Sequence, residues 1–278
     1  MHPHLFPTIT LSLMIITITL IHCPTSLCAE DEQYNSCSTP ISCGAMYFSY
    51  PFWGSNRPDY CGHPNFEINC SNNVPLIKIT YMNYRVLEIN NSSRTLTVAR
   101  TDYLDTICPP TIVSTSIDFN LFSYTSSTNL TLYYDCTRTP PIPIPELTIT
   151  YGQFYCSINN TNSTGYYDKD TRNTPTSTIS SIGVCGYSVD VPILQSAGPT
   201  YTTEATVTAA IDGGFMLEWN ANNPQCDECV GAGGLCGSDP TTKAFACHCA
   251  SGTFASGCSG ITGKYPCHFS FFILAILQ

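Results

Sequence analysis

The stretch that decides how this chain folds is CDECVGAGGLCGSDPTTKAFACHC, which runs from Cys226 to Cys249. Two close cysteine pairs bracket a glycine-rich loop, and one histidine separates the last two cysteines. Three kinds of structure share this appearance: a zinc site of paired thiolates, a phosphate-binding loop and a module held by disulfides. Because thiolate ligands need a reducing compartment and disulfides an oxidising one, the destination of the chain decides among them.

The N-terminal residues 1–28 predict export. They hold no acidic residue, contain the apolar run LSLMIITITLI (Leu11–Ile21), and end on the small residues Ser26 and Cys28, which suit signal peptidase. The run has about half of the roughly 20 residues that span a bilayer, so a removed signal peptide is favoured over a permanent anchor. We therefore expect the mature chain to be extracellular.

Export makes disulfides the expected state of the cysteines, and the sequence alone does not give their pairing. A zinc site at Cys226, Cys229, Cys247 and Cys249 is disfavoured, and we predict no metal site. A phosphate loop is disfavoured because no Gly-Lys-Ser/Thr follows the glycines. The cysteines predicted to be cross-linked are Cys37, Cys43, Cys61, Cys70, Cys108, Cys136, Cys156, Cys185, Cys226, Cys229, Cys236, Cys247, Cys249 and Cys258.

N-glycosylation sequons agree with export. The first contains a cysteine at its middle position, and two others are adjacent, so that both can hardly be used. The predicted acceptors are Asn69, Asn90, Asn91, Asn129, Asn159 and Asn162.

The charge balance excludes some classes of partner. Ten basic and twenty acidic residues give a formal net charge of −10. Nucleic acid and anionic lipid both require basic patches, so neither is an expected partner.

Alternating apolar and polar residues predict a mainly β fold with short strands and little helix. The segments YRVLEIN and RTLTVAR, joined by turn residues, predict a hairpin from Tyr84 to Arg100. We also predict a strand over 203–211, a turn at Asp212–Gly214, and one helix over 189–198, where Pro192 suits a first turn.

The proline-rich run TPPIPIPE at 139–146 predicts a stiff linker between two disulfide-rich modules. Three interpretations of the tail stay open: a truncated membrane segment at 269–277, a glycolipid-anchor signal with Ser256 and Gly257 as acceptors, or the altered end of a shortened transcript. The predicted organisation is 1–28 signal peptide, 37–136 first domain, 137–148 linker, 149–258 second domain and 259–278 tail.

No catalytic motif of a serine hydrolase, zinc protease or kinase occurs in the sequence. Neighbouring acids such as Asp102 and Asp105, or Asp227 and Glu228, would serve a glycosidase only if they faced each other across a cleft. We predict no catalytic residue.

An aromatic-rich stretch, AMYFSYPFWGSNRPDYCGHPNFEINC (Ala45–Cys70), admits two interpretations. Aromatic rings with polar edges suit a platform for sugars, whereas a small stapled domain also needs such rings in its core. Tyr50, Trp53 and Tyr60, beside Arg57, are the candidates for a ligand surface.

The segment CSTPISCGAMYFSYPFWGSNRPDYCGHPNFEINC resembles the start of the galacturonan-binding domain of plant wall-associated receptor kinases. The closing motif resembles the C-terminal associated domain of the same family, and the leaf-rust-resistance-locus type of receptor-like kinase is the most similar variant. The matching positions of the first domain are Cys37, Cys43-Gly44, Tyr50-Pro51-Phe52, Cys61-Gly62, Phe66 and Cys70. Those of the closing motif are Trp219, Cys226, Cys229, Gly233-Gly234, Cys236-Gly237, Phe245, Cys247 and Cys249.

The resemblance implies binding of a cell-wall polysaccharide of the pectin or galacturonan type, either as a receptor-kinase ectodomain or as a kinase-less relative. Full-length members are serine/threonine kinases of the plasma membrane, but this chain has no kinase segment, and membrane association would require the tail or a longer isoform. Within 37–136, five basic residues accompany seven acidic ones. Binding an acidic polymer then needs basic groups, Arg85 among them, gathered on one face, or calcium as a bridge. The first alternative is a secreted cysteine-rich defence or inhibitor protein that binds a protein or peptide. The second alternative is a wall-active hydrolase, which would need a carboxylate pair in a cleft.

Overall fold

The computed structural model of the chain describes residues 31–137, 151–158, 161–168, 184–197 and 203–258. The prediction of a mainly β fold is confirmed. The predicted signal peptide, the tail, nearly all of the predicted linker and the sequon at Asn159 lie outside the described residues.

The elements are named here in chain order. The strands are β1 (Ile41–Cys43), β2 (Met46–Phe48), β3 (Ile68–Ser71), β4 (Val74–Ile79), β5 (Met82–Asn90), β6 (Thr95–Arg100), β7 (Phe122–Thr125), β8 (Ser127–Cys136), β9 (Tyr151–Ile158), β10 (Thr161–Asp168), β11 (Cys185–Leu194), β12 (Phe215–Trp219), β13 (Leu235–Ser238), β14 (Phe245–Cys249) and β15 (Gly252–Phe254). The helices are α1 (Glu32–Ser38), α2 (Glu204–Asp212) and α3 (Asn223–Gly231), with short 3-10 turns at Asp59–Cys61 and Thr101–Tyr103.

A six-stranded antiparallel sheet forms the first layer, in the order β3-β4-β5-β6-β12-β7. The predicted hairpin is confirmed, since β5 pairs with β6 from Tyr84 opposite Arg100 to Asn90 opposite Thr95. Strand β12 comes from the C-terminal half of the chain and lies between β6 and β7. This sheet therefore combines strands from both sides of the predicted linker.

The core of this sheet, here called the sheet core, follows from side-chain alternation. Along β5 the pattern of burial places Tyr84 and Val86 inside, while Asn83 and Arg85 point outward. Phe52 lies at the centre of the sheet core, and its ring centroid is 5.2 Å from that of Trp219 and 5.6 Å from that of Phe66, both edge to face. Such pairs add to the stabilisation from burial.

A second antiparallel sheet has the order β11-β8-β10-β9. Helix α2 packs against its apolar cluster through Val207, Ala210 and Ile211. Strand β8 precedes the predicted linker, whereas β9, β10 and β11 follow it, so this sheet also combines both halves of the chain.

The prediction of a strand over 203–211 is wrong, because Glu204–Asp212 is helix α2. The apolar positions Val207, Ala210 and Ile211 are spaced three and four apart and form one helical face. Thr203 and Thr206 make a reciprocal capping box at the N-terminus, a start signal that the strand interpretation overlooked.

The prediction of a helix over 189–198 is also wrong, because Cys185–Leu194 is strand β11 and pairs with β8 along its length. Pro192 lies opposite Asn129. Because β11 is an edge strand of its sheet, the missing N–H of the proline costs no internal ladder bond.

All fourteen cysteines predicted to be cross-linked form disulfides. The pairs are Cys37–Cys61, Cys43–Cys70, Cys108–Cys156, Cys136–Cys185, Cys226–Cys236, Cys229–Cys247 and Cys249–Cys258. The last three lie in residues 226–258, here called the cysteine-rich region, which consists of most of α3 and β13–β15.

The glycine loop of the cysteine-rich region has a packing role. A Cβ atom at Gly234 would collide with the sulfurs of Cys229, Cys247 and Cys258. Each sulfur of the zinc alternative is bonded to another sulfur, so the opening stretch is a disulfide-held module.

Candidate functional site

The aromatic stretch before Cys70 contributes mainly to the sheet core. Phe48, Phe52 and Phe66 are fully buried there, whereas Tyr47 is exposed. The core interpretation is therefore confirmed for the phenylalanines.

The three aromatic candidates for a ligand platform are half-buried, and two of their polar atoms bind the protein itself. The Tyr50 hydroxyl donates to the carbonyl of Ala221 at 2.7 Å, and burial raises the pKa of Tyr50 well above its usual range, which keeps it a donor. Trp53 Nε1 donates to the carbonyl of His63 at 2.9 Å. The Tyr60 ring packs edge to face on His248 of the cysteine-rich region, with centroids 5.9 Å apart.

Arg57 is buried, with only 4% of its surface exposed. Its guanidinium donates to four backbone carbonyls, those of Cys37, Thr39, Phe52 and Cys61, at 2.5 to 3.2 Å. Burial lowers the pKa of Arg57 to about 10, which still leaves it charged at neutral pH. This arginine joins the chain segments around the first disulfide and is not exposed to a ligand.

Arg85 is the predicted ligand residue that the structure leaves exposed, and it has a cationic neighbour. Strands β4 and β5 pair with Leu76 opposite Arg85 and Lys78 opposite Asn83. Lys78 and Arg85 are thus diagonal neighbours on the outward face, a relation that puts side chains about 7 Å apart. We call these two residues the cation pair.

The cation pair differs from the other basic residues of the described part of the chain. Arg94 binds Asp227, Arg100 binds Asp102 at 2.7 Å, and Lys243 binds Asp59 at 2.7 Å. Arg57 is occupied by carbonyls. Lys78 and Arg85 alone have no ion-pair or hydrogen-bond partner among the described residues, which leaves their charge available to a ligand.

A cavity of about 320 Å³ adjoins Lys78 at the end of β4 and is here called the hairpin-end cavity. Its wall includes Asn65, Glu67, Lys78 and Asp118, and its apolar lining includes Leu121 and Phe122. The turn between β4 and β5 borders it, and Thr80 Oγ1 donates to the carbonyl of Ser116 at 3.2 Å. Of the side chains around this hairpin, the sequence predicts only Arg85 as a ligand residue, because the strand register is what brings Lys78 beside it.

Two family models match the chain. The one described as wall-associated receptor kinase galacturonan-binding matches residues 37–100, which contain the cation pair. The one described as wall-associated receptor kinase C-terminal matches residues 155–252. The chain carries the extracellular domains of the wall-associated receptor kinase family.

Curated relatives of this ectodomain are receptor-like kinases of Arabidopsis thaliana. The leaf rust 10 disease-resistance locus receptor-like protein kinase-like 2.1 is 31% identical over 252 residues, covering 88% of this chain and 38% of the relative. The corresponding protein 2.8 is 32% identical over 243 residues, covering 81% of this chain and 25% of the relative. This chain thus spans well under half of the length of these relatives. No solved structure matches.

Other features of the ectodomain have structural roles. Among the acids considered for glycoside hydrolysis, Asp227 binds Arg94, and Asp102 accepts two hydrogen bonds from Arg100 at 3.0 and 2.7 Å. The sulfurs of Cys247, Cys249 and Cys258 lie within 4.8 Å of one another, but all three belong to disulfides. None of the helices within the described ranges is long and apolar enough to cross a membrane.

The described sequons are accessible. Their side chains are exposed, which is the condition for N-glycosylation, and their use stays a prediction. The exposed acceptors are Asn69, Asn90, Asn91, Asn129 and Asn162.

Proposed function

We propose that this ectodomain binds an acidic cell-wall polysaccharide of the pectin, galacturonan type, on the outward face of the β4–β5 hairpin. The observation that carries the proposal is the cation pair, two unpartnered basic side chains side by side within the segment that matches the galacturonan-binding model. A polyuronate presents carboxylates at regular intervals, so two adjacent cations can bind successive charges of one polymer chain.

The expected strength of this interaction is modest. Exposed ion pairs contribute about 0.2–1 kcal/mol each and are screened by salt. The chain as a whole carries a formal charge of −10, which opposes a polyanion at long range. Useful affinity then requires a polymer that engages many ectodomains at once, as in a cell wall.

Calcium is a second way to offset the charge. Glu67, just before β3, and Glu88, on β5, have exposed carboxylates. Calcium can bind oxygen ligands from the protein and the polymer together. Calcium should therefore raise retention of polyuronate if such bridging contributes, and it should leave retention unchanged if the cation pair acts alone.

The test is retention of the oxidised ectodomain on immobilised oligogalacturonide, with methyl-esterified pectin as the uncharged comparison. The variants are Lys78→Gln, Arg85→Gln and, as the matched control, Arg94→Gln, whose side chain already binds Asp227. Retention should weaken roughly two- to fivefold for each cation-pair variant, more for the double variant and hardly for the control. It should also fall when salt is raised from about 50 to 300 mM.

The proposal would be contradicted if Lys78→Gln and Arg85→Gln left retention unchanged, or if the ectodomain were retained on no acidic glycan. Binding of a protein or peptide ligand without glycan binding would instead support the defence or inhibitor alternative. In a full-length receptor, the proposed site would present the polymer outside the cell, and a kinase domain would act on the other side of the membrane.

A further inference from the structure

The hairpin-end cavity shares Lys78 with the cation pair, but Asp118 and the apolar part of its lining have no role in binding a polyanion. We infer that it is a binding site for one neutral sugar residue, whose hydroxyls are bound by Glu67, Asp118 and Lys78. The inference rests on the proposed function in one respect, namely that the sugar belongs to a cell-wall glycan. It adds a second ligand class to the same hairpin.

The size of the cavity suits a single sugar residue. Its volume of about 320 Å³ is at the lower limit of the roughly 300–1,000 Å³ found for small-molecule sites. A polymer would have to lie across such a cavity and place one residue in it. The site would therefore recognise a branch or a single residue and not a long stretch of backbone.

The polar groups of the cavity retain hydrogen-bonding capacity. Asp118 Oδ1 accepts two bonds from Asn120, each at 3.0 Å, and its second oxygen has no partner among the described residues. Glu67 and Lys78 have no ion-pair or hydrogen-bond partner there either. Carboxylates only accept and an ammonium only donates, so these groups together match the hydroxyls of a sugar, which do both.

An apolar surface completes the lining. Pro64, Ile79, Leu121 and Phe122 contribute to the cavity wall. Phe122 itself is 3% exposed, and its ring is fixed 4.9 Å from that of Phe66, measured between centroids. Apolar side chains of this kind pack against the C–H groups of a sugar ring while polar groups fix its orientation.

The charge of the cavity excludes a uronate as the favoured occupant. Two carboxylates and one ammonium leave one net negative charge on its wall. Burial lowers the pKa of His63, next to Pro64, so this side chain supplies no compensating charge at neutral pH. A carboxylate sugar would be repelled, whereas a neutral sugar would meet no electrostatic penalty.

Two sources can supply a neutral sugar. One is a neutral branch of a wall polysaccharide, and the other is the chain's own glycan on Asn69, which is exposed and lies two residues beyond Glu67. Alternate residues of an extended segment point to the same side, so a glycan on Asn69 would begin beside the cavity. The shared chemistry is an uncharged, hydroxyl-rich ring, and an Asn69→Gln variant separates the two sources.

The test is saturation-transfer NMR on the intact, oxidised ectodomain, with galactose, arabinose, rhamnose, glucose and galacturonate as separate probes. At least one neutral sugar should bind more tightly than galacturonate, and its affinity should not change between about 50 and 300 mM salt. Asp118→Asn and Glu67→Gln should each weaken binding by about tenfold, the effect of losing a hydrogen bond to a charged group. Glu88→Gln, an exposed glutamate of the same sheet, is the matched control and should have no effect.

The outcomes separate this inference from the proposed function. The inference would be overturned if no neutral sugar showed saturation transfer, if galacturonate bound more tightly than every neutral sugar, or if Asp118→Asn and Glu67→Gln did not weaken binding. None of these results would affect the proposed function, which is tested by retention on oligogalacturonide. Neutral-sugar binding without retention on oligogalacturonide would instead remove the proposed polyuronate function alone. If binding appears only in the Asn69→Gln variant, the chain's own glycan fills the cavity in the glycosylated protein, and the neutral-sugar site is still supported.

Discussion

The sheet core and the cysteine-rich region are stabilised by different means within one chain. The sheet core buries large rings and aliphatic side chains, among them Phe52, Phe66 and Trp219. The cysteine-rich region has short strands, and the cluster at its centre is formed mainly by four buried cysteines. Short segments that cannot bury enough apolar area need covalent cross-links. A wide sheet buries one face in its core and leaves the other face exposed, and the proposed ligand sites lie on the sheet.

The strongest test of this comparison removes a large side chain from the sheet core. Trp219→Ala should lower the free energy of unfolding by about 3–5 kcal/mol, since it deletes a buried ring that packs on Phe52. Denaturant unfolding of the oxidised chain measures this. Tyr47→Ala, which removes an exposed ring, is the control and should change stability by less than about 0.5 kcal/mol. A loss below about 1 kcal/mol for Trp219→Ala would mean that disulfides hold the sheet as well.

The next test removes a cross-link from the cysteine-rich region. Replacing Cys229 and Cys247 by serine opens a bridge between residues 18 apart and should cost about 3 kcal/mol. Hydrogen exchange should rise within 226–258 and stay slow in β5 and β6. The pair Cys249 and Cys258, 9 residues apart, is the control and should have a slightly smaller effect. Equal loss of protection in both regions would contradict the distinction.

A smaller effect is expected at His248, where the cysteine-rich region contacts the 3-10 turn Asp59–Cys61. This side chain is fully buried, its Nε2 donates to the carbonyl of Tyr60 at 3.0 Å, and its Nδ1 lies 2.8 Å from Thr253 Oγ1. Burial lowers the pKa of His248 below its ordinary value of 6.5. The unfolded chain therefore takes up a proton first, and stability that is complete above pH 6.5 is lost as pH falls through the folded pKa.

The measurement for His248 is the Tm between pH 7.5 and 4.5, compared with that of His248→Gln. The wild-type Tm should fall by a few degrees more than that of the variant over this interval. Parallel curves for the two proteins would show that His248 does not link pH to the stability of this junction.

The smallest effect should come from a surface ion pair across the same junction. Lys243 Nζ lies 2.7 Å from Asp59 Oδ2, and both side chains are about half exposed. Lys243→Gln should reduce the free energy of unfolding by no more than about 1 kcal/mol, and high salt should abolish the difference. A loss comparable to that from removing a disulfide would show that charge contributes to holding the cysteine-rich region in place.

Much of the covalent and local organisation could be predicted from sequence. The density of cysteines, together with the predicted export of the chain, predicted all fourteen bridged cysteines, and alternation predicted the hairpin from Tyr84 to Arg100. The helix α2 was missed because TEATVTAAI satisfies alternation as well as helical spacing, and only the capping box at Thr203 distinguishes the two.

The candidate site could not be predicted to the same extent. From the sequence alone, Arg57 and Arg85 are equivalent cationic residues. In the structure Arg57 binds backbone carbonyls, whereas Arg85 faces solvent. The neighbourhood of Lys78 and Arg85 depends on strand register, and the approach of Asp118 to Glu67 depends on tertiary contacts. The proximity of these side chains depends on the whole fold, so no short stretch of the sequence indicates it.

The position of strand β12 has a consequence for synthesis of the protein. Val98 of β6 and its partner Phe215 of β12 are 117 residues apart along the chain. A ribosome that adds about 5–20 residues per second needs roughly 6 to 23 seconds to make that interval. During this time β6 and β7 expose the edges that β12 will later occupy, and exposed edges invite pairing with other chains. The first half of the nascent chain therefore exposes these two strand edges until Trp219, the last residue of β12, has been synthesised.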